Sequence, residues 1–544
     1  MPTSLQAVLD RRKTVPLRMF RNLSLRTSYT LVAALLIVAG FRRMYHIDSV
    51  GLWSDELWGV FACSQGSWWA MIQDLVHNDS HPPGYQTLLY WWIKAFGESD
   101  IAVRLPSVIA GVASVAFTYL LGKRHFSVIA GIIAAAMVTG SFYAIYYSQE
   151  ARAYAFLMFF APTMTLYFID LFVSKNHDKY SLPLFWLVST ACMYFHYVGF
   201  VFVGSALLLS LFFWMYDRRR QGHLQLVFKA FSPCLILYLP WLPVMYQHMA
   251  HSPDDWSTPV PDLPVLWQTV RFLFGPDDLR LYLLLVSIVM AHIVWITRFF
   301  NSSSAPAIRS YNDYKYRAFI CLAWLTWIPI LVFYFKSQFS QSVYTLRHFT
   351  YAIPLIAIMA SLFPALLISK IANHTWRSSV LVMLLLTIAA INTRGNDDNR
   401  LYNNYLREDY RGAVDIVRHD FRFMSTNPAD RIVITSNVFF DHYLRLYDLK
   451  PHADMVMSSV GQMSELEALL EKEKPDRFYF LEVSGKETSP LLAALESRFA
   501  TRCFSRLNKM NVFKFLNQPR PADQLPRSEL HDCPLKSSVK PMSE

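Results

Sequence analysis

Residues 28–58 read SYTLVAALLIVAGFRRMYHIDSVGLWSDELW. The run from 28 to 46 is long and apolar enough to cross a ~30 Å hydrocarbon core as a helix. It passes directly into a loop of tryptophans carrying two adjacent acids, Asp55 and Glu56. Similar blocks recur at 101–121, 127–146, 153–173, 181–195, 198–216, 225–246, 279–299, 317–335, 347–369 and 378–392, giving about eleven spans in all. The 544 residues are 53% hydrophobic and only 17% charged, less charge than a soluble chain of this length carries. The net charge of +11 would suggest nucleic acid in a soluble protein. Here the basic residues sit in short clusters between apolar blocks, which excludes nucleic acid as a partner and implies a lipid bilayer.

Those clusters orient the chain. Arg11, Arg12, Lys13, Arg18, Arg21 and Arg26 place the N-terminus in the cytoplasm, and every second connection is basic. Lys123 and Arg124 follow the second span, Lys175 and Lys179 the fourth, and Arg218 to Arg220 the sixth. Arg298, Arg309 and Lys315 follow the eighth, and Lys370 and Arg377 the tenth. An odd count of spans then leaves the C-terminus outside. The first span lacks a small-residue cleavage site and reads as a retained anchor. Four regions follow: a basic cytoplasmic N-terminus (1–27), a transmembrane region (28–392), an extracytoplasmic α/β domain (393–517) and a disordered tail (518–544). The cytoplasmic connections are too short for a nucleotide-binding fold, so an activated substrate must arrive in the membrane. That points to a lipid-linked donor. The six cysteines contain no CxxC pair and suggest neither a disulfide framework nor a zinc site; whether Cys503 and Cys533 pair stays open.

The outer loop GLWSDELWGVFACSQGSWWAMIQDLVHNDSHPPGYQTLLYWWIKAFG (51–97) is dense in Trp and Tyr, which favour the headgroup level. Two interfacial helices are expected there, near 55–76 and 83–97, separated at Pro82 and Pro83. Asp55 and Glu56 are either helix-start charges favoured by the dipole or a general base at the membrane surface. Glu150 and Arg152, in YYSQEARAY (146–154), are either an interface pair or a holder of a loop or a substrate hydroxyl. Arg347, in YTLRHFTY (344–351), either snorkels to the headgroups or binds a phosphate with its planar fork. His196 alone reads as an interfacial, hydrogen-bonded histidine. His77 and His81 have helical spacing, but the turn between them argues against zinc. After 393 a small α/β domain is expected, with helices at 408–424, 438–447, 462–474 and 488–498, strands at 431–437 and 477–483, and a hairpin from 500 to 516.

Several of these stretches, in order, resemble one family. FRRMYHIDSVGLWSDELW, HPPGYQTLLYWWIKAFG, RLPSVIAGV, YYSQEARAYAF, FHYVG, TLRHFTYAIP and EDYRGAVDIV are similar to segments of bacterial GT-C glycosyltransferases of the family 39 type. Relatives of that type include protein O-mannosyltransferases and lipid A aminoarabinose transferases. The resemblance implies a polytopic GT-C fold in a bacterial inner membrane and a polyprenyl-phosphate-linked sugar donor. The acceptor it implies is a glycan, lipid A or a protein. It also implies Asp55 as catalytic base with Glu56 beside it, and Glu150 as a second acidic residue near acceptor or metal. Arg347 occupies a phosphate-binding position, with His81, Arg152, His196 and Tyr344 as further substrate contacts. No cofactor follows from it with certainty; a divalent cation at Glu56 or Glu150 is compatible with it. Aminoarabinose transferases carry a lysine before the double proline where this chain has His81, a departure that weakens the claim to that particular sugar.

Two rivals come from other classes. A transporter of polyprenyl-linked sugars would keep charged or broken-helix positions near the bilayer midplane, whereas these spans are nearly free of charge. A non-catalytic envelope-glycan assembly subunit would have no need of Asp55, Glu56, Glu150 and Arg347 together.

Overall fold

A computed structural model describes residues 23–519 apart from 175–177, 217–221, 251–257, 276–277, 301–305, 395–407, 424–431, 448, 450–453, 458–459, 484–488 and 508. The basic residues at 11–21, 175 and 218–220 and the tail beyond 519 lie outside the described residues. The chain divides into a helical unit, Met1–Tyr45 with Gly66–Ala95 and Arg104–Leu401, and a second unit, His46–Gln65 with Phe96–Val103 and Tyr402–Glu544.

The helices are α1 (Leu25–Met44), α2 (Ser54–Cys63), α3 (Trp68–Asn78), α4 (Gly84–Phe96), α5 (Asp100–His125), α6 (Val128–Gly140), α7 (Phe142–Tyr146), α8 (Tyr154–Phe172) and α9 (Ser181–Phe195). They continue as α10 (Tyr197–Tyr216), α11 (His223–Tyr238), α12 (Leu242–Ala250), α13 (Leu263–Phe274), α14 (Asp278–Phe300), α15 (Pro306–Phe339), α16 (Ala352–Ser369) and α17 (His374–Arg394). Among the described residues, eight helices are long and apolar enough to cross a membrane, accompanied by the shorter apolar Val128–Gly140, Ser181–Phe195 and His374–Ala390. Helices apolar on every face are those that are buried all round. Accordingly α8 and α16, which read YAFLMFFAPTMTLYFIDLF and AIPLIAIMASLFPALLIS, form the middle of the helical unit, with 83% and 78% of their apolar windows buried. By contrast α1 and α14 lie at its periphery, at 11% and 17%.

One expectation fails in the outer loop. Instead of one helix over 55–76 there are two, α2 and α3, because Gly66 adopts φ +84° and Ser67 caps the second helix by accepting the Ala70 N–H. The helix expected at 83–97 appears as α4, entered through Pro82 and Pro83.

The second unit carries a five-stranded sheet in the order β2-β1-β3-β5-β4. Here β1 is Val433–Thr435, β2 Asp454–Val456, β3 Arg477–Val483, β4 Phe499–Leu507 and β5 Met510–Pro519. β1 runs parallel to β2 and β3, while β5 pairs antiparallel with β3 and β4. Besides α2, its helices are α18 (Tyr410–Phe423), α19 (Phe440–Leu446), α20 (Met463–Glu473) and α21 (Pro490–Arg498). Ile434, Phe478, Phe480, Phe513 and Phe515 pack with Leu466 and Leu495 into one apolar core. Strand β2 has no counterpart in the sequence reading; at three residues it is too short to show an alternation. The same unit takes in residues 46–65 and 96–103, which a division at residue 393 leaves with the spans. Cys503 is disulfide-bonded, so it is no free thiol.

Candidate functional site

The turn NDSHPPG (78–84) ends α3 and begins α4. At its start the buried Asp79 carboxylate accepts the Ser80 N–H at 2.6 Å and bonds His81 Nδ1 at 2.9 Å. Burial alone would raise the Asp79 pKa. Hydrogen bonding from His81, the His81 and Arg152 charges and the Ser80 amide together hold it down, to about 2. Asp79 therefore fixes the His81 ring by its Nδ1 side and leaves Nε2 outside that bond. Gly84 lets the turn press onto the end of α9, since a Cβ there would lie 2.5 Å from the Tyr194 carbonyl oxygen. The contact sets the His81 ring 5.2 Å from the ring of His196.

His196 is the hinge between α9 and α10. Its Nδ1 accepts the Val198 N–H at 3.1 Å, which in the neutral ring leaves the proton on Nε2. Among the described residues that Nε2 is buried without a partner. Burial, then the His348, His81, Arg152 and Arg347 charges, push the His196 pKa well below its ordinary value, so the ring is neutral near pH 7. His348 stands 5.0 Å from His196, ring to ring. It comes from the 3-10 turn Leu346–Phe349, which also presents Arg347 over the Tyr154 ring at 5.7 Å. His81, Gln86, Arg152, Tyr154 and His196 help to line a small, partly open cavity.

Arg152 is positioned by the turn before α8. Its N–H donates to the Glu150 carbonyl at 2.8 Å and its own carbonyl accepts from Ser107 Oγ at 3.1 Å. The YYSQE stretch is stitched to the end of α1: fully buried Arg43 donates from Nε to Ser148 Oγ at 3.1 Å, and the Gln149 amide donates to the Arg43 and Tyr45 carbonyls. Glu150 is buried in this turn and is not among the cavity-lining residues. Tyr344 stands apart as well, its hydroxyl paired with Thr269 Oγ1 at 2.7 Å.

In the second unit, Asp55 and Glu56 occupy the first turn of α2. Glu56 is fully buried, and its carboxylate reaches back to accept the Trp53 N–H at 3.3 Å, the reciprocal half of a capping box. Asp55 is half-buried. Two adjacent acids thus differ in exposure: one is committed to the helix start, the other retains access to solvent. Among the described residues no three His, Cys, Asp or Glu side chains converge on a point that could hold a metal ion.

Sequence reasoning did not single out Asp79, His348, Tyr154 or Arg43 as site or scaffold residues. His348 adjoins Arg347 and Arg43 closes an apolar block, which are the only local signals they carry.

Residues 80–243 match the family described as dolichyl-phosphate-mannose-protein mannosyltransferase. No curated protein matches the chain. Among solved structures, ArnT from Cupriavidus metallidurans bound to undecaprenyl phosphate superposes with a TM-score of 0.52 at 13% identity, over 89% of this chain and 97% of that one. The apo state of the same protein gives 0.52 at 12% identity with the same coverage. The chain has the GT-C fold. The resemblance drawn from the motifs is borne out at that level, as is a polytopic helical architecture with a small C-terminal sheet region.

Proposed function

We propose that the protein transfers a sugar from a polyprenyl-phosphate donor to an acceptor hydroxyl, with inversion, on the extracytoplasmic face of a bacterial inner membrane. The observation that carries this reading is the cavity beside Arg152, where the His81 and His196 imidazoles and a guanidinium converge and the nearby carboxylate, Asp79, is already engaged by His81. Such a site suits a phosphate, because charge-assisted hydrogen bonds in a water-poor pocket are the strong ones. The acceptor oxygen attacks the anomeric carbon and its proton passes to the Asp55 carboxylate. The bond from the anomeric carbon to the phosphate oxygen breaks, and its electron pair leaves with polyprenyl phosphate. Positive charge gathers on the sugar ring as it does in other glycosyl chemistry. Arg152 and Arg347 stabilise the charge that grows on the departing phosphate.

The basic connections support a cytoplasmic N-terminus, and the disulfide-bonded Cys503 suits an oxidising compartment for the second unit. The mannosyltransferase family match and the undecaprenyl phosphate bound by ArnT support a lipid-linked donor. A glycan, lipid A or protein hydroxyl fits the proposed attack equally. The test is incubation of the purified protein with a panel of polyprenyl-phosphate sugars and candidate acceptors, reading polyprenyl phosphate by mass spectrometry. Acceptor-dependent release supports the reading. Movement of an intact donor across proteoliposomes, with no release for any acceptor, replaces it with transport.

A further inference from the structure

The start of α2 depends on residues nearly four hundred positions away in the sequence, all of them in the second unit. Tyr443, fully buried on α19, uses its hydroxyl twice: it accepts the Leu52 N–H at 2.6 Å and donates to Asp100 Oδ1 at 2.9 Å. Arg411, in the first turn of α18, donates from Nη1 to Asp100 Oδ2 at 2.8 Å and from Nη2 to the Ser49 carbonyl at 3.0 Å. Asp100 is thereby gripped by both oxygens, and the backbone from Ser49 to Leu52 hangs from the two side chains that grip it. Between those two anchor points lies Gly51. A Cβ at this position would come within 2.6 Å of Arg411 Cβ and 3.0 Å of the Tyr443 hydroxyl. Two residues beyond Leu52, Ser54 Oγ donates to Glu408 at 3.1 Å, and the Trp58 ring stands edge-on to Phe439, centroids 6.4 Å apart.

We infer that Tyr443 and Arg411, joined through Asp100, form a clamp that positions Asp55. This deepens the proposed function and rests on it only for the role of Asp55. The physical argument is one of distance along the chain. Leu52 is three residues from Asp55, and Trp53, the residue between Leu52 and the helix, has its amide tied to Glu56. Fixing the Leu52 amide and the Ser49 carbonyl therefore fixes where the first turn of α2 begins and which way Asp55 faces. A base displaced by about 1 Å can lose a large part of its effect, on the order of 10². Leu52 is fully buried, so its amide has no water to turn to when the hydroxyl is removed. Tyr443 and Arg411 are positioning residues under this inference; neither is asked to touch the substrate. The sheet region thus serves the mechanism by holding the acidic loop in place.

The experiment compares the parent with Tyr443→Phe, Gly51→Ala and Arg411→Lys in the full-length protein. Tyr443→Phe keeps the ring and its packing while removing the hydroxyl. Turnover on a polyprenyl-phosphate sugar should fall by roughly tenfold with the donor KM unchanged. Amide exchange at Leu52 and Trp53 should quicken, while β3 and β5 keep their protection. Gly51→Ala should act in the same direction by pushing the loop off Arg411, and Arg411→Lys, which keeps a cation but not the fork, should fall between. Unchanged turnover in Tyr443→Phe at equal folded protein overturns the inference, as does loss of protection across β3 and β5 together with the loop. If the parent itself turns over no polyprenyl donor, the proposed function fails separately. Exchange at Leu52 then decides the clamp: unchanged exchange in Tyr443→Phe overturns it.

Discussion

In the helical unit, the cavity-lining residues and their neighbours arrive from helix ends: His81 before α4, Arg152 before α8, His196 between α9 and α10, and Arg347 with His348 before α16. The nearby carboxylate Asp79 is consumed by His81 and Ser80, and the histidines that remain are held by other partners on one nitrogen or are kept neutral. In the second unit the situation is reversed. There Asp55 is a carboxylate at a helix start, half-buried, beside a Glu56 spent on capping. One region gathers imidazoles and a guanidinium, and the other presents a carboxylate. Under the proposed function, the two halves of the transfer, leaving-group stabilisation and proton acceptance, fall to residues on different stretches of chain. They should therefore respond to mutation in separable ways.

The strongest way to break that comparison is at Asp55. Asp55→Asn keeps the size and hydrogen-bonding capacity of the side chain and removes its basicity. Turnover should fall by at least ~10², with donor binding nearly intact. Glu56→Gln should cost far less, because a glutamine oxygen still accepts the Trp53 N–H. Single-turnover rates with donor titration distinguish the two, and parental turnover in Asp55→Asn removes it as the base.

Next in size is Asp79. Its folded pKa of about 2 lies below the usual aspartate range, so the ionised form stabilises the fold. The sign follows: this stabilisation is fully present above about pH 4 and is lost as pH falls through about 2. Asp79→Asn should cost about 2 kcal/mol near neutral pH, and the gap to the parent should close in acid. Thermal unfolding in detergent across that range measures it. A gap independent of pH would mean that packing, not the carboxylate charge, holds the turn.

Arg347 sharpens the other side of the comparison. Arg347→Lys retains a cation but loses the planar fork that lies over Tyr154, so donor affinity should drop by roughly tenfold and turnover at saturating donor should fall with it. A loss confined to turnover would move Arg347 from ground-state binding to the transition state alone.

How legible these features were in the sequence follows the same division. The acidic pair and the aromatic loop are local, and RFYFLEV announces β3 at its observed bounds, Arg477–Val483. The break at Gly66 carried turn chemistry in Gln65-Gly66-Ser67 that the amphipathic run around it concealed. The cavity is another matter. His81, His196 and His348 are separated by more than a hundred residues each, and their rings meet only because the fold brings together the turns before α4, between α9 and α10, and before α16; no spacing rule encodes that. Asp79 looked like turn punctuation because its charge acts through the third dimension, on His81 and Arg152. The grip of Tyr443 and Arg411 on the loop before α2 was invisible for the same reason, although Gly51 marks the place where another backbone comes close.

The smallest effect tests the tautomer of His196, and it separates the structural from the functional nitrogen. Nδ1 accepts the Val198 N–H and so holds the turn between α9 and α10, while Nε2 is buried without a protein partner beside the cavity. His196→Asn places an oxygen close to the Nδ1 position and leaves nothing at Nε2. His196→Gln does the opposite, carrying an amide toward the Nε2 position and abandoning Val198. If a phosphate oxygen accepts the Nε2 proton, the Asn variant should unfold like the parent yet bind donor roughly fivefold more weakly, the equivalent of one neutral hydrogen bond of about 1 kcal/mol. The Gln variant should lose stability first and keep more of the affinity. Because burial keeps the ring neutral, the parent's affinity should show no step near pH 6.5 that disappears in either variant. Such a step, lost with the imidazole, would mean that His196 binds the donor as a cation and that the helical unit gathers its positive charge by protonation as well as by arginine.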